Sequence, residues 1–501
     1  MIARDSYKYI YLTMPNNQKG PYLGPKGYSL YKDELSVQEQ RFIRDSLSVK
    51  PYIPKSPVQP PRFPIFRESP LKLYVPRYWG IEHFGPVIAS KLNEPETISI
   101  KFDGSLRDYQ EKIVSSYLSH VSQPNIEGGL LEVPCGRGKT CCGLYISSKL
   151  GYKTLVIVHK EFLLNQWVER IQQFLPNARI GRLQGQIVDI RDKDIVIAML
   201  QSLSMKDYPQ NMFDSFGLTI VDEVHHISSE VFSRALNRVV TKYTLGLSAT
   251  MQRKDGLTHV FKMFLGEIAY SEKAEPNQSV LVKAITFATG DEEHNNVELD
   301  YRGNPKYSTM ISKLCNFNPR TEFIISVLKQ ELDELEGQQI MVLAHQKAIL
   351  VYLHDAINHR QIGTVGYYIG GMKEAELKKS ENKQIILATY AMASEGLDIK
   401  TLTTLIMATP KTDITQSVGR ILRVKHSRPL IVDIVDEHEP FQRQWAKRRH
   451  WYNQNKYHIM HTEYSRYASK EWTDLTVKSK PVNKVKTKVS SGCLLDLSKF
   501  S

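Results

Sequence analysis

Between residues 100 and 270 the chain alternates short apolar runs with longer segments whose apolar positions recur every three or four residues. The runs are GLLEVP (129–134), TLVIVH (154–159), DIVIAM (194–199), LTIVDE (218–223) and YTLGLSA (243–249). Aliphatic runs without polar alternation read as strands covered on both faces, the condition of a parallel sheet. Between them, KEFLLNQWVERIQQFL (160–175) places Leu163, Trp167, Ile171 and Leu175 four apart, on one face of a helix. Strand alternates with helix, so the pattern predicts a doubly wound α/β domain.

The stretch 271–318 breaks this pattern with GDEEHNNVELDYRGNP and shows no apolar period, which predicts a linker or insertion. Alternation resumes with a helix over 320–335. The strand-like runs QIMVLAH (339–345), IILATY (385–390), TLIMAT (404–409) and PLIVDIVD (429–436) follow. Two tandem α/β domains are therefore expected, over 101–270 and 319–464. Residues 1–100 hold 13 of the 24 prolines, densest in PYIPKSPVQPPRFP (51–64), and read as an extended, irregular accessory region. Its end, LKLYVPRYWG (71–80), is aromatic and basic. No repeat of 20–50 residues is visible. Residues 465–501 include KSKPVNKVKTK (478–488), with five lysines and no acid, which predicts a disordered basic tail.

Composition narrows the class. The chain has 501 residues, 41% hydrophobic and 24% charged, which excludes a fibrous or wholly disordered protein. No apolar run approaches the roughly 18–20 residues needed to span a bilayer. The start, MIARDSYKYIYLTM, carries Asp5 and no continuous apolar stretch, which argues against a secretory signal. Cysteines 135, 141, 142, 315 and 493 form no CxxC pair and no even disulfide framework. They suit core packing in a reducing intracellular compartment, cytoplasm or nucleus. Sixty-six Lys+Arg against 53 Asp+Glu give a net charge of +13, which favours a polyanionic partner such as DNA or RNA. The excess sits at the ends: 14 basic against 9 acidic in residues 1–100, and 13 against 6 in 437–501.

After the first run comes Pro134-Cys135-Gly136-Arg137-Gly138-Lys139-Thr140. A glycine-rich turn from strand to helix exposes successive N–H groups that cradle phosphates. Lys139 would reach the β- and γ-phosphates of ATP, and Thr140 would offer its hydroxyl to Mg²⁺. Val133 stands where GxxxxGK[ST] has its first glycine. Further on, LTIVDEVHH puts Asp222 and Glu223 at a strand end. Asp222 would hold Mg²⁺, and Glu223 would orient and deprotonate water. His225 and His226 lack the HExxH spacing or cysteine partners of a metal site. His225 fits a coupling role between nucleotide and nucleic acid. Leu247-Ser248-Ala249-Thr250 ends a third strand, where Ser and Thr alone would read as helix caps. In the second domain, Gln416-Ser-Val-Gly-Arg420-Ile-Leu-Arg423 sets two arginines three apart on one helix face. Such guanidinium groups neutralise charge developing in phosphoryl transfer.

PCGRGKT, DEVH, SAT and QxxGRxxR in this order resemble superfamily 2 helicases of the DExH kind. EVPCGRGKT, VDEVHHI and LGLSATMQRKDG resemble the XPB/UvsW-like branch more narrowly. The resemblance covers roughly 100–455, and LYVPRYWGIEHFG is similar to helicases of large DNA viruses. It implies two RecA-like domains with ATP and Mg²⁺ as cofactors, and a virion becomes a further possible location. By the resemblance, Gln110 of LRDYQ (106–110) reads the adenine, and Gln416 joins the nucleotide contacts. HKEFLLNQW (159–167) and the region of MLQS (199–202) contact a nucleic-acid backbone, while TYAMASEGLDI (389–399) touches both backbone and nucleotide. Arg253-Lys254-Asp255 stands where the branch carries Arg-Glu-Asp. The function implied is an ATP-dependent helicase that tracks a DNA or RNA backbone, with transcription or repair machinery as further partners. Competing readings are a translocase that remodels protein–nucleic acid complexes without unwinding, and a nucleic-acid-binding scaffold with lost ATPase.

Overall fold

A computed structural model describes residues 20–52, 59–134, 136–209, 211–226, 229–251, 256–272, 280–334, 336–395, 399, 401–421 and 429–476. They form two compact units. One comprises residues up to 275 with 390–402 and 415–425, the other the remaining residues from 276 onward.

The first unit is built on an eight-stranded sheet. Its strands are β1 (Gly128–Glu132), β2 (Thr154–Val158), β3 (Ile180–Gln184), β4 (Ile187–Asp189), β5 (Ile195–Met199), β6 (Leu218–Val221), β7 (Tyr243–Ser248) and β8 (Ile268–Ser271). They lie in the order β4-β3-β5-β2-β6-β7-β1-β8, all parallel except the β3–β4 hairpin. Strand β2 shows why these runs carry no polar alternation. Leu155 and Ile157 enter the core on one face, Val156 and Val158 the core on the other. Helices α1 (Asp108–Val121), α2 (Lys139–Leu150) and α3 (Glu161–Phe174) cover the second face. On α3, Leu163, Trp167 and Ile171 are buried, as is Leu175 at its end, which the spacing of four requires.

The first face also carries the N-terminal region, which is more ordered than its composition predicts. Residues Tyr22–Gly24, Gly27–Tyr31, Arg67–Glu68, Lys72–Val75 and Ala89–Ser90 make a five-stranded sheet, and Val37–Ser46 and Arg77–Phe84 are helices. Pro25, Pro70, Pro76 and Pro86 fall between these elements, where a missing N–H breaks no ladder. Part of the proline-rich run, residues 53–58, lies outside the described residues. A Cβ on Gly80 would stand 2.4 Å from the Tyr28 ring, so only glycine lets this helix approach its strand. Arg77 ties the region down: its guanidinium donates to the Lys242 carbonyl at 2.9 Å and to Glu127 at 2.5 Å, beside the starts of β7 and β1.

The second unit has strands β9 (Leu281–Phe287), β10 (Ile340–Ala344), β11 (Val365–Tyr368), β12 (Ile385–Thr389), β13 (Thr404–Met407), β14 (Leu430–Asp436), β15 (His458–Glu463) and β16 (Thr473–Asp474). Their order is β11-β12-β10-β13-β14-β9-β15-β16, parallel except for the last pair. The expected linker 271–318 is therefore corrected. It contains β9, which pairs with both β14 and β15, and the helices Glu292–Asn295 and Tyr307–Asn316. Lys283 interrupts its apolar run, and this lysine is neutralised inside the protein. The expected disordered tail is also shortened, because β16 pairs with β15 and Tyr467 is buried in the core of this unit. Residues 477–501 lie outside the described residues.

Three charge clusters are buried in this unit. Arg320, fully buried, donates to both oxygens of Asp436 at 2.5 and 2.8 Å and to the Ala408 carbonyl. Arg448 does the same for Asp433 at 2.7 and 2.9 Å. Lys283 Nζ binds Glu331 and Glu334, each at 2.8 Å. Truncating one partner strands a charge: Arg320→Met should cost about 3–5 kcal/mol in urea unfolding, and adding Asp436→Leu should restore most of it. Burial works to raise the Glu334 carboxyl, but bonds from Lys283, Gln330 and Lys470 outweigh it and hold it at about 2. A depressed carboxyl stabilises above its unfolded value of about 4.3 and loses that contribution as pH falls through about 2. Lys283→Met should flatten this acid dependence of the unfolding midpoint.

Candidate functional site

Strands β1, β6 and β7 are neighbours, so the residues that follow them meet at one edge of the sheet. The turn after β1 gives its glycines a left-handed backbone, with φ of +82° at Gly136 and +77° at Gly138. A Cβ on Gly138 would also stand 2.4 Å from Gln110 Nε2, so both conformation and space demand glycine there. Gln110 is nearly buried. Its Oε1 accepts from the Arg107 N–H at 3.0 Å and its Nε2 donates to the Arg137 carbonyl at 3.2 Å, bracing the turn against the start of α1. Arg137 lies 4.8 Å from the Tyr109 ring centre and pairs with Glu272 at 2.8 Å. Lys139 and Thr140 open α2, and Pro134 leads into the turn. Cys135 lies outside the described residues.

Opposite the turn, Lys139 Nζ stands 3.4 Å from Glu223 Oε1. Glu223 adopts a left-handed φ of +47°, uncommon for a residue other than glycine. Asp222 is 5% exposed and its neighbours set its state. Burial, joined by the Glu223 charge, pushes its carboxyl up to about 6, while bonds from Trp167 and the Glu223 N–H pull the other way. Trp167 Nε1 donates to Asp222 Oδ2 at 2.9 Å, and the Glu223 N–H donates to Oδ1 at 2.9 Å.

His225 joins the third strand end. Its Nδ1 lies 2.7 Å from Ser248 Oγ and 3.5 Å from Glu223 Oε2, linking the carboxylate pair to SAT, and Ser248 Oγ donates to the Thr250 carbonyl. Two segments expected at a nucleic-acid backbone also meet: Gln201 Nε2 donates to the His159 carbonyl at 3.1 Å. Helix α4 (Thr415–Ile421) carries Gln416 and Arg420, whose side chains lie outside the described residues, as does Arg423. The His226 side chain and residues 253–255 do too, and of 389–399 the helix Tyr390–Glu395 is described. The sequence places Trp167 in an apolar stripe and at the end of the HKEFLLNQW motif, and neither points to Asp222. The bond between them left no signal, because an indole with an N–H partner and one without it occupy the same spacing.

Residues 103–253 match the family model described as the res subunit of type III restriction enzymes. Over 449 residues the chain is 35% identical to "Putative ATP-dependent RNA helicase L396" of Acanthamoeba polyphaga mimivirus, covering 86% of this chain and 85% of the relative. The chain belongs to the superfamily 2 helicases of large DNA viruses. "Putative helicase 161L" of Invertebrate iridescent virus 6 is 27% identical over 71% of this chain and 82% of its own length. Among solved structures, a fragment of a putative HsdR subunit of a type I restriction enzyme from Vibrio vulnificus matches the fold. Its TM-score is 0.51 at 15% identity, over 72% of this helicase and 70% of that chain. The protein is thus an ATP-dependent helicase built from two α/β units, and among its described residues no helix is long and apolar enough to cross a membrane.

Trp167→Phe keeps a ring in the core of the helicase and removes the donor to Asp222. Leaving a buried carboxylate oxygen short of one bond should cost about 1–3 kcal/mol, read as a lower urea midpoint.

Proposed function

We propose that this helicase follows the phosphodiester backbone of a single RNA strand, driven by ATP hydrolysis between the turn after β1 and the end of β6. The observation that carries the reading is the approach of Lys139 to Glu223 at 3.4 Å with Asp222 buried alongside. RNA rather than DNA is favoured by the name of the mimivirus relative.

ATP with Mg²⁺ supplies the phosphoanhydride to be cleaved and the cation that offsets its charge. The residues fit both. Lys139 exchanges Glu223 for anionic oxygens, beside the N–H groups at the start of α2 and the turn residues Pro134, Cys135, Gly136, Arg137 and Gly138. Thr140 and Asp222 would hold the cation. Burial and the Glu223 charge disfavour the ionised form of Asp222, and a divalent cation beside it would favour that form. Glu223, released from Lys139, accepts the proton of the attacking water. Gln110 is assigned to the adenine. Gln416, Arg420 and Arg423 are assigned on the QxxGRxxR pattern alone, the arginines to charge developing on the transferred phosphoryl group. The contact of Glu223 with His225, the hydrogen bond between His225 and Ser248, and the bond from Gln201 to His159 are the routes by which nucleic acid would act on hydrolysis.

Glu223→Gln should retain binding of a fluorescent ATP analogue while turnover falls about 10²–10⁴-fold, the usual worth of a positioned base. Loss of nucleotide binding would instead make Glu223 structural. An ATPase titration with RNA, single-stranded DNA and duplex DNA tests the track. RNA should stimulate most, and greater stimulation by DNA would overturn that assignment. Stimulated ATPase without strand displacement would mark a translocase that does not unwind.

A further inference from the structure

The outward face of the N-terminal five-stranded sheet takes no part in the chemistry above. Its inward residues Tyr28, Leu30, Leu73 and Val75 are in the core. On the other face the strand register sets Arg67, Tyr74, Ser29, Tyr22 and Ala89 in one row, with Lys72 opposite Tyr31 in the next. Tyrosines and lysines interleave there. Lys72 Nζ lies 2.8 Å from the Tyr22 hydroxyl and 4.6 Å from the Tyr31 ring centre. Lys91 Nζ stands 4.1 Å from the centre of the Tyr22 ring, and Lys26 Nζ 5.3 Å from that of Tyr74. Among the described residues no ion pair neutralises Lys26, Lys72 or Lys91. The one acid on these strands, Glu68, is held by Lys32 at 2.9 Å and Arg44 at 3.0 Å.

Three ammonium groups without carboxylates, set among aromatic rings, match a ligand that alternates anions with flat apolar groups. We infer that this face binds single-stranded nucleic acid, with Lys26, Lys72 and Lys91 on phosphates and the partly exposed Tyr31 and Tyr74 stacking bases. Tyr22, only 9% exposed, aims Lys72 and Lys91 rather than stacking. Tyr31 and Tyr74 are diagonal neighbours, about 7–8 Å apart, which consecutive bases of an extended strand can span. A duplex hides its base faces and would gain only the phosphate contacts. An acidic peptide offers charge without bases. The inference does not depend on which side chains hydrolyse ATP, or on whether the track is RNA or DNA.

The test uses the full chain and fluorescence anisotropy with labelled oligo(U), oligo(dT) and a duplex of equal length over a salt series. The triple variant Lys26→Gln, Lys72→Gln, Lys91→Gln should lower the single-strand salt slope by about 2, at roughly 0.7 per phosphate contact. Tyr31→Ser with Tyr74→Ser should weaken single-strand binding about tenfold or more at unchanged slope and leave duplex binding as it was. Tyr31→Phe with Tyr74→Phe should restore affinity, which separates stacking from a folding defect. An unchanged slope in the lysine variant would overturn the inference, as would tyrosine changes that weaken strand and duplex equally. Basal ATPase without nucleic acid should match the parent in every variant. A parent that no nucleic acid stimulates would count against the motor reading and leave this binding test intact.

Discussion

Parallel strands cannot be joined by tight turns. Each return needs a crossover, and the crossing helices bury both faces of the sheet. In this helicase that constraint excludes polar chemistry from the strands of the first unit and confines it to their carboxyl ends. The glycine turn after β1, the acidic pair after β6 and the Ser248 terminus of β7 then become neighbours, because the three strands are adjacent in the sheet. The Val133 N–H donating to the Ser248 carbonyl at 2.9 Å draws two of these ends together. The approach of Lys139 to Glu223 and the contact of His225 with Ser248 follow from that shared edge.

The two units treat buried carboxylates in opposite ways. Asp433 and Asp436 lie on a strand whose every residue is buried, and each receives two donors from its own arginine. Their charge is matched within the unit, so they serve the fold. Asp222 receives the Trp167 indole and one backbone N–H, while the nearby ammonium of Lys139 pairs with Glu223. Its carboxyl is pushed up to about 6 because those donors do not offset burial and the adjoining charge. Residues of one type, at comparable burial, are thus divided between architecture and chemistry by how completely they are neutralised.

The N-terminal region attaches by a different principle. A small sheet packs one face on the core of the first unit, and Arg77 crosses to Lys242 and Glu127. Its other face sets its lysines among tyrosines, and among the described residues no acid pairs with them. A surface serving stability alone gains little from carboxylate-free lysines, whereas one meeting a polyanion requires them.

The sequence by itself determined the nine apolar runs, the helix stripe of α3 and the spacing of GKT, DE, SAT and QxxGRxxR, because each depends only on local periodicity or on a short turn. These sufficed for the fold class and for naming candidates for the nucleotide site. Tertiary structure decided the rest. Strand β9 escaped notice because Lys283 breaks its apolar run, and only Glu331 and Glu334, far along the chain, make that lysine compatible with burial. The N-terminal sheet was hidden by prolines that punctuate its strands without interrupting them. The bond from Trp167 to Asp222 joins residues 55 positions apart, and the face of Tyr22, Tyr31 and Tyr74 exists only once three strands pair. Such contacts rest on which elements become neighbours, a choice that the packing of both sheet faces makes and no local pattern encodes.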